Sequence, residues 1–278
     1  MNTIGSNLFS VDPRRCIRCG ECVNDCPVNI LELGDTTPYV TDGRAGDCIG
    51  CQHCLCVCPT GAISVLGLNP DESLDLVSAS LPTLDQLEVM LKGRRSVRRY
   101  ADEGVDPALI RRLVGIAGYA PSGRNNRRLS FSVIDNRAAM QRFRERTLDG
   151  LSDLVRRNAL PPGYELFDAI VDGWSRYQAD VLFRWAPHLV VASAPETAAS
   201  PEPDGIIALG QFEMAAVSAG LGTLWNGLVK MAITLLPELR VELNIGDDYR
   251  VIFAMCFGRP DISYARCPQY ETVIRSVS

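Results

Sequence analysis

Cys16-Ile17-Arg18-Cys19-Gly20-Glu21-Cys22-Val23-Asn24-Asp25-Cys26-Pro27 is the stretch on which the N-terminal fold turns. It returns as Cys48-Ile49-Gly50-Cys51-Gln52-His53-Cys54-Leu55-Cys56-Val57-Cys58-Pro59. An apolar stretch follows each copy, Val28–Leu33 and Ala62–Leu66. Two copies of one small unit, each too short to bury a core alone, are expected to pack on each other. Three cysteines at two-residue gaps wrap one side of a four-iron cube in a tight loop, and the fourth thiolate comes from elsewhere. In a two-cluster arrangement the fourth Cys of each run serves the other cube. The spacing therefore predicts Cys16, Cys19, Cys22 and Cys58 on one [4Fe–4S] cluster, with Cys48, Cys51, Cys54 and Cys26 on the second. Zinc is the weaker reading, because two separated C-x2-C pairs already close a tetrahedral site and the third Cys of each run is surplus.

Working outward, nine of the 11 Cys among 278 residues fall before residue 59. A cysteine-dense head and a cysteine-poor body are expected: head 1–68, a polar and acidic connector 69–82, body 83–278. The odd count argues against a pure disulfide framework. No stretch approaches the length of a membrane span, and no secretory leader opens the chain, so a reducing cytoplasm is the expected setting. Cys56, between two ligands, reads as a small buried residue and Cys256 as core; Cys267 has no assigned role, and His53 reads as surface. Charge is uneven. Residues 92–146 hold 14 of the 28 basic side chains against 5 acids, in a protein of net charge −5. A basic block inside an acidic chain points to a bound anion rather than to nucleic acid.

Thr83-Leu84-Asp85-Gln86 reads as a capping box for a helix to about Lys92. Asp106-Pro107 reads as an N-cap with proline at the first helical position. Leu129–Ile134 alternates as a strand. Helical patterns follow over 137–159 and 165–184, and an Ala-rich one over Ile206–Leu221. His188–Ala194 and Arg250–Phe257 are continuous apolar runs suited to buried strands. The body is thus α+β.

The head resembles the bacterial two-cluster ferredoxins, with both cysteine runs present and no ligand missing. The resemblance implies a low-potential electron carrier. In the body, Arg94-Arg95-Ser96-Val97-Arg98-Arg99 offers charge and bidentate donors for a phosphate. Pro121-Ser122-Gly123-Arg124-Asn125, then Gly220-Leu221-Gly222-Thr223-Leu224-Trp225-Asn226-Gly227, and finally Phe257-Gly258-Arg259-Pro260 follow it. In this order the body resembles the FMN-dependent nitroreductase superfamily, which implies a central mixed sheet flanked by helices and a homodimer with FMN at the interface. Carried over by position, the resemblance makes Arg94, Arg95, Ser96 and Arg98 contacts to phosphate, ribityl chain and pyrimidine edge. Pro121, Ser122, Gly123 and Asn125 match a turn contributed across the dimer. Leu224, Trp225, Asn226 and Gly227 match the segment over the flavin's middle ring, and Arg259 and Arg266 compete for a late phosphate contact. After Asn125, Arg127, Arg128 and Leu129 depart from the family's usual continuation. Trp174, Tyr177, Phe183 and Trp185 lie in its variable region, as core or as cover over the pocket.

Together the halves imply an iron–sulfur flavoprotein oxidoreductase with no catalytic side chain. Electrons would pass from a low-potential donor, such as a ferredoxin or flavodoxin, through two [4Fe–4S] clusters to FMN. A small acceptor would receive them: a nitroaromatic, a quinone or an activated alkene. The alternatives are an electron-transfer module serving a protein partner, or a divergent flavin reaction such as reductive dehalogenation. Direct use of NAD(P)H stays open.

Overall fold

In the computed structural model residues 9–277 are described, and the chain divides after Leu81 into two compact units. The head makes one strand–helix–strand unit twice. β1 (Phe9–Val11), α1 (Glu21–Asn24) and β2 (Leu31–Leu33) are followed by β3 (Pro38–Val40), α2 (His53–Cys56) and β4 (Ile63–Val65). Each one-turn helix starts inside a cysteine run, just after a residue in the left-handed region, Gly20 (φ 79°) and Gln52 (φ 63°). The copies interlock: β1 pairs antiparallel with β4, and β2 with β3. Cys22, Cys26, Ile30, Leu31 and Ile63 form the small core between them. The expected connector does not begin free of the head. Asp71, in a 3-10 turn over Pro70–Glu72, takes a two-pronged ion pair from Arg15 at 3.0 and 2.8 Å.

The body is built on a four-stranded sheet in the order β5 (Ser130–Ile134), β6 (His188–Pro195), β8 (Tyr249–Gly258), β7 (Gly222–Trp225), all antiparallel. A parallel bridge between Ser96 and Thr223 extends its β7 edge and gives the sheet its mixed character. Every residue of β6 is buried, as its unbroken apolar run requires. Leu189 and Val191 face one core with Ala254 and Cys256, against α5 (Arg137–Arg156), α6 (Leu166–Tyr177), α8 (Gly227–Leu235) and α9 (Pro237–Glu242). Val190, Ala192 and Ala194 face the other, against α4 (Pro107–Ala117) and α7 (Pro201–Ser218). A register shift beside Ala192 leaves Ile252 without a partner on β6. That extra residue turns its side chain onto the same face as Met255 and Phe257, as a bulge does.

α3 (Leu84–Gly93) opens on the expected capping box, with Thr83 and Gln86 each bonding the other's amide. Asp106 caps α4 through the Ala108 amide. The pattern over 165–184 yields a shorter helix, α6, which ends at Gln178 in the left-handed region (φ 53°). Phe183, beyond it, is fully buried. Trp174 stacks at a tilt on Trp185 with ring centroids 5.9 Å apart, and Tyr177 is exposed. Of the four aromatics only Phe183 is core; Trp174 is half-buried and Trp185 and Tyr177 are exposed.

His188 lies buried at the start of β6 and stacks on Phe257 at 5.2 Å. Its Nε2 accepts the Val105 amide at 2.8 Å, so Nδ1 carries the proton and donates to the Ile134 carbonyl at 3.2 Å. Burial holds this imidazole below its ordinary value. The unfolded chain therefore takes up the proton first as pH drops. The stability contributed by neutral His188 is full above about pH 6.5 and is lost progressively below it. Thermal unfolding should show the body's midpoint falling between pH 7 and pH 5. His188→Gln, which still offers an acceptor to Val105, should flatten that fall; an identical slope in both proteins would refute the assignment.

Candidate functional site

The eight expected ligand cysteines sort into two groups in space. Cys16, Cys19, Cys22 and Cys58 ring one small cavity with Ile17, Arg18 and Ile63. Cys26, Cys48, Cys51 and Cys54 line a second cavity of about 500 Å³, which extends beneath Tyr39 and Val40. Each ring takes its fourth thiol from the other run, because β1–β4 and β2–β3 pairing folds the end of each run against its counterpart. Among the described residues, no three Cys, His, Asp or Glu side chains form a group that could hold a lone metal ion. The thiols surround two spaces instead, as four-iron cubes need.

The thiols differ in environment. Burial raises Cys22 and pushes Cys54 up to about 12. At Cys58 burial also acts upward, but the Ala62 amide, 3.2 Å from Sγ, and the Thr60 hydroxyl outweigh it and the net shift is downward. Iron held by these thiols would have to displace their protons, which would couple cluster assembly to folding of the head. Cys56 corrects the expectation of burial: it is exposed. In the single turn of α2, Leu55 takes the buried position and Cys54 faces the cavity, leaving Cys56 to solvent. His53 pairs with Asp25 at 3.0 Å, half-exposed, and is a surface residue.

In the body, the arginine run lies along β7. The Val97 amide donates to the Thr223 carbonyl at 2.8 Å, beside the Ser96–Thr223 bridge. The approach is so close that a Cβ on Gly222 would meet the Val97 side chain at 2.5 Å, so only glycine fits. Arg94 reaches Glu213 of α7 at 3.3 Å. Arg95 donates to the Lys92 carbonyl at 3.0 Å, yet its Nε is buried with no partner among the described residues. Arg98 is exposed, with Nη1 on the Ser96 carbonyl at 3.2 Å. An orphaned guanidinium N–H on an arginine-rich run fits an anionic or carbonyl-bearing ligand, since buried donors are rarely left unpaired.

The 121–125 turn lies elsewhere on the same helix. The Gly123 amide bonds Asp204 of α7 at 2.9 Å, and a Cβ on Gly123 would meet Ser200 Oγ at 2.5 Å. Ser122 Oγ accepts the Arg127 amide at 3.0 Å. Asp204 and Glu213 stand roughly 13 Å apart along α7 at 1.5 Å per residue. Within one chain the helix therefore holds the turn and the run apart.

The side chains of the 224–227 segment are largely taken up by the fold. Leu224 is buried core. The Asn226 side chain is consumed structurally: it caps α8 through the Val229 amide and donates to the Leu182 carbonyl at 2.8 Å. What the segment leaves free is the amide of Gly227, which opens α8 and so lies outside the helix's own ladder. Arg259 is paired with Glu103 at 3.0 Å, whereas Arg266 is exposed on the C-terminal segment. Glu213 and Thr223 were missed from the sequence. The available signal is a single acid within the Ala-rich pattern over Ile206–Leu221.

Residues 91–259 match the nitroreductase family model. The chain belongs to the nitroreductase family. Residues 15–62 match the 4Fe-4S dicluster domain, so this member of the family carries a ferredoxin-type head. A nitroreductase with bound FMN from Bacteroides fragilis NCTC 9343 superposes with a TM-score of 0.55 at 20% identity, covering 70% of this chain and 100% of that one. The head is 48% identical over 48 residues to an uncharacterized ferredoxin of Methanocaldococcus jannaschii, covering 17% of this chain and 73% of the ferredoxin. It is 45% identical over 60 residues to the methylamine utilization ferredoxin-type protein MauM of Methylobacillus flagellatus, covering 18% of this chain and 25% of that protein. No described helix is long and apolar enough to cross a membrane.

Two outcomes test the site. Cys58→Ser should remove iron from the ring of Cys16, Cys19 and Cys22 and roughly halve total iron, while Cys56→Ser leaves iron unchanged; equal loss in both would overturn the sorting of thiols. Gly222→Ala should cost about 1–3 kcal/mol by forcing Val97 away from β7, measured by denaturant unfolding.

Proposed function

We propose that the chain is an iron–sulfur flavoprotein oxidoreductase, taking electrons from a low-potential donor such as a ferredoxin or flavodoxin and reducing a small acceptor, a nitroaromatic, quinone or activated alkene. The observation that carries this is the union, in one chain of the nitroreductase family, of two four-thiol rings with an arginine run holding an orphaned buried donor. When bound, the two [4Fe–4S] clusters supply one-electron relay and FMN supplies the change to two-electron chemistry.

The chain's own residues bind and orient. Arg94, Arg95, Ser96 and Arg98 present charge and fixed donors to the phosphate, ribityl chain and pyrimidine edge, where positive charge favours the reduced cofactor. Gly227 offers its amide at a helix N-terminus to the middle ring. Arg266 is the better placed late phosphate contact, because Arg259 is already paired. Pro121, Ser122, Gly123 and Asn125 serve the site of a second copy, which fits their distance along α7 from the run.

A homodimer is supported by α3, which buries no residue of its own. Leu84, Val89 and Leu91 are exposed on it, and Leu87 and Met90 line an apolar groove with Ile116, Ile207 and Met214. Apolar surface gathered in this way marks an interaction face. A reducing cytoplasm, where the head's thiols stay free of disulfides, suits this reading.

Anaerobically purified protein should contain about eight iron atoms, about eight acid-labile sulfides and about one FMN per chain. After reduction with dithionite, a panel of nitroaromatic, quinone, alkene and halogenated acceptors should reoxidise the flavin absorbance. Zinc in place of iron, or a body that takes up no FMN, would defeat the reading. Leu87→Asp should shift the chain toward monomer and lower FMN occupancy together, read by sedimentation and absorbance; an unchanged mass would remove the dimer.

A further inference from the structure

Glu213 is 5% exposed on α7, buried among Leu209, Phe212 and Ala216, with Asp204 the helix's other buried acid. A buried carboxylate has to be matched on its lone pairs or it is costly, and this one is matched on both oxygens. Oε1 accepts the Thr223 hydroxyl at 2.7 Å and Arg94 Nη1 at 3.3 Å. Oε2 accepts the indole Nε1–H of Trp225 at 3.0 Å. One side chain thus ties the beginning of the arginine run to both ends of β7. Thr223 in turn holds the run through its own carbonyl and the Val97 amide. Trp225 is set from the other side by an edge contact to Phe253 at 5.5 Å. No other carboxylate among the described residues pairs with Arg94.

We propose that Glu213 is a positioning residue of the flavin site, fixing the Arg94 guanidinium and the Trp225 indole relative to each other before the cofactor binds. The inference rests on the flavin reading above. Its physical basis is pre-organisation: an arginine held at its working angle gives up less freedom on binding than one drawn from solvent. The ion pair also sets how much of the Arg94 charge reaches the site. A glutamine at 213 has the same shape but lacks the charge. Its single carbonyl can serve Thr223 and Arg94, or Trp225, and its amide then opposes the remaining N–H donor.

The test uses the full chain with its clusters, stripped of FMN and titrated with FMN. The indole N–H resonance of Trp225 is identified by its absence in Trp225→Phe. Glu213→Gln should raise the FMN Kd about tenfold, the loss of one charge-assisted bond. It should also speed exchange of the Trp225 indole proton about tenfold. In an Arg94→Gln background the same change should have less than half its effect on FMN Kd, because the two groups act as one unit. Unchanged FMN affinity and unchanged indole exchange would overturn the inference while leaving the flavin reading intact. So would a fall in thermal midpoint whose effect on FMN affinity is independent of Arg94, since that assigns Glu213 to the fold alone. Should Glu213→Gln fail to accumulate, Thr223→Val removes one donor and leaves the carboxylate paired. Equal FMN affinity and equal Trp225 exchange in that variant would overturn the inference. Failure of the unmodified protein to bind FMN defeats the flavin reading and this inference with it.

Discussion

Backbone contact between the arginine run and β7 is the constraint on which the body's site depends. Val97 donates to Thr223 at a separation only a glycine at 222 permits, and this pairing turns the chain out of α3 and onto the edge of the sheet. Once the run is there, Tyr100 bonds the Val97 carbonyl at 2.9 Å, Ala101 bonds Arg259 and Asp261 bonds Arg99 through the backbone. The chain after the run is thereby zipped to the end of β8. An extra methyl at position 222 would act on the whole series, because a close-packed interior passes strain from neighbour to neighbour.

α7 plays the complementary part. It lies across the sheet face that carries Val190, Ala192 and Phe257. Its buried acids, Asp204 and Glu213, spend themselves on the turn at Gly123 and on the run at Arg94. An apolar helix with two buried carboxylates would be a poor design for stability alone, since a well-packed hydrophobic residue often does as well as a buried ion pair. Their value lies in geometry: each acid takes a donor from a segment outside the four strands, Gly123 for Asp204 and Arg94 for Glu213. The head solves a related problem with thiols. Its core is five buried residues, two of them cysteines of the four-thiol rings, so core and thiol rings share residues and iron bound there would become part of folding.

Legibility in the sequence follows the range of the forces involved. The cysteine runs were readable because cluster geometry demands a fixed local spacing. The caps at Thr83 and Asp106 were readable because capping is local, and β6 and β8 because both faces are buried and the apolar run is continuous. β7 was not read as a strand: it has four residues, at an edge, and is defined by partners far away in the chain. At Asn226 a helix cap and a ligand-binding amide draw on the same residue type, and here the side chain bonds Leu182 and Val229. Cys56 was misplaced because one helical turn has too few residues for periodicity to tell its faces apart. Glu213 is legible only as an anomaly, an acid where the pattern asks for an apolar residue.

The basic block at 92–146 shows how sequence charge and spatial charge part company. Arg144 is buried against Asp180 at 2.8 Å and stacked over Trp185, a structural pair. Arg137 is matched by Asp102 and Arg99 by Asp261, while Arg94 is matched by Glu213. The acids come largely from outside the block, so much of its excess is cancelled where the chain folds back. Among the described residues Arg95 and Arg98, like Arg127, bond only backbone carbonyls. A carbonyl satisfies a donor but does not neutralise a cation. Uncancelled positive charge therefore remains on the run that also carries the orphaned Nε, as it does at Arg127 and Arg128 further along the block. An anion bound there meets charge the protein has left uncompensated, and both Coulomb attraction and the unpaired donor favour the same place.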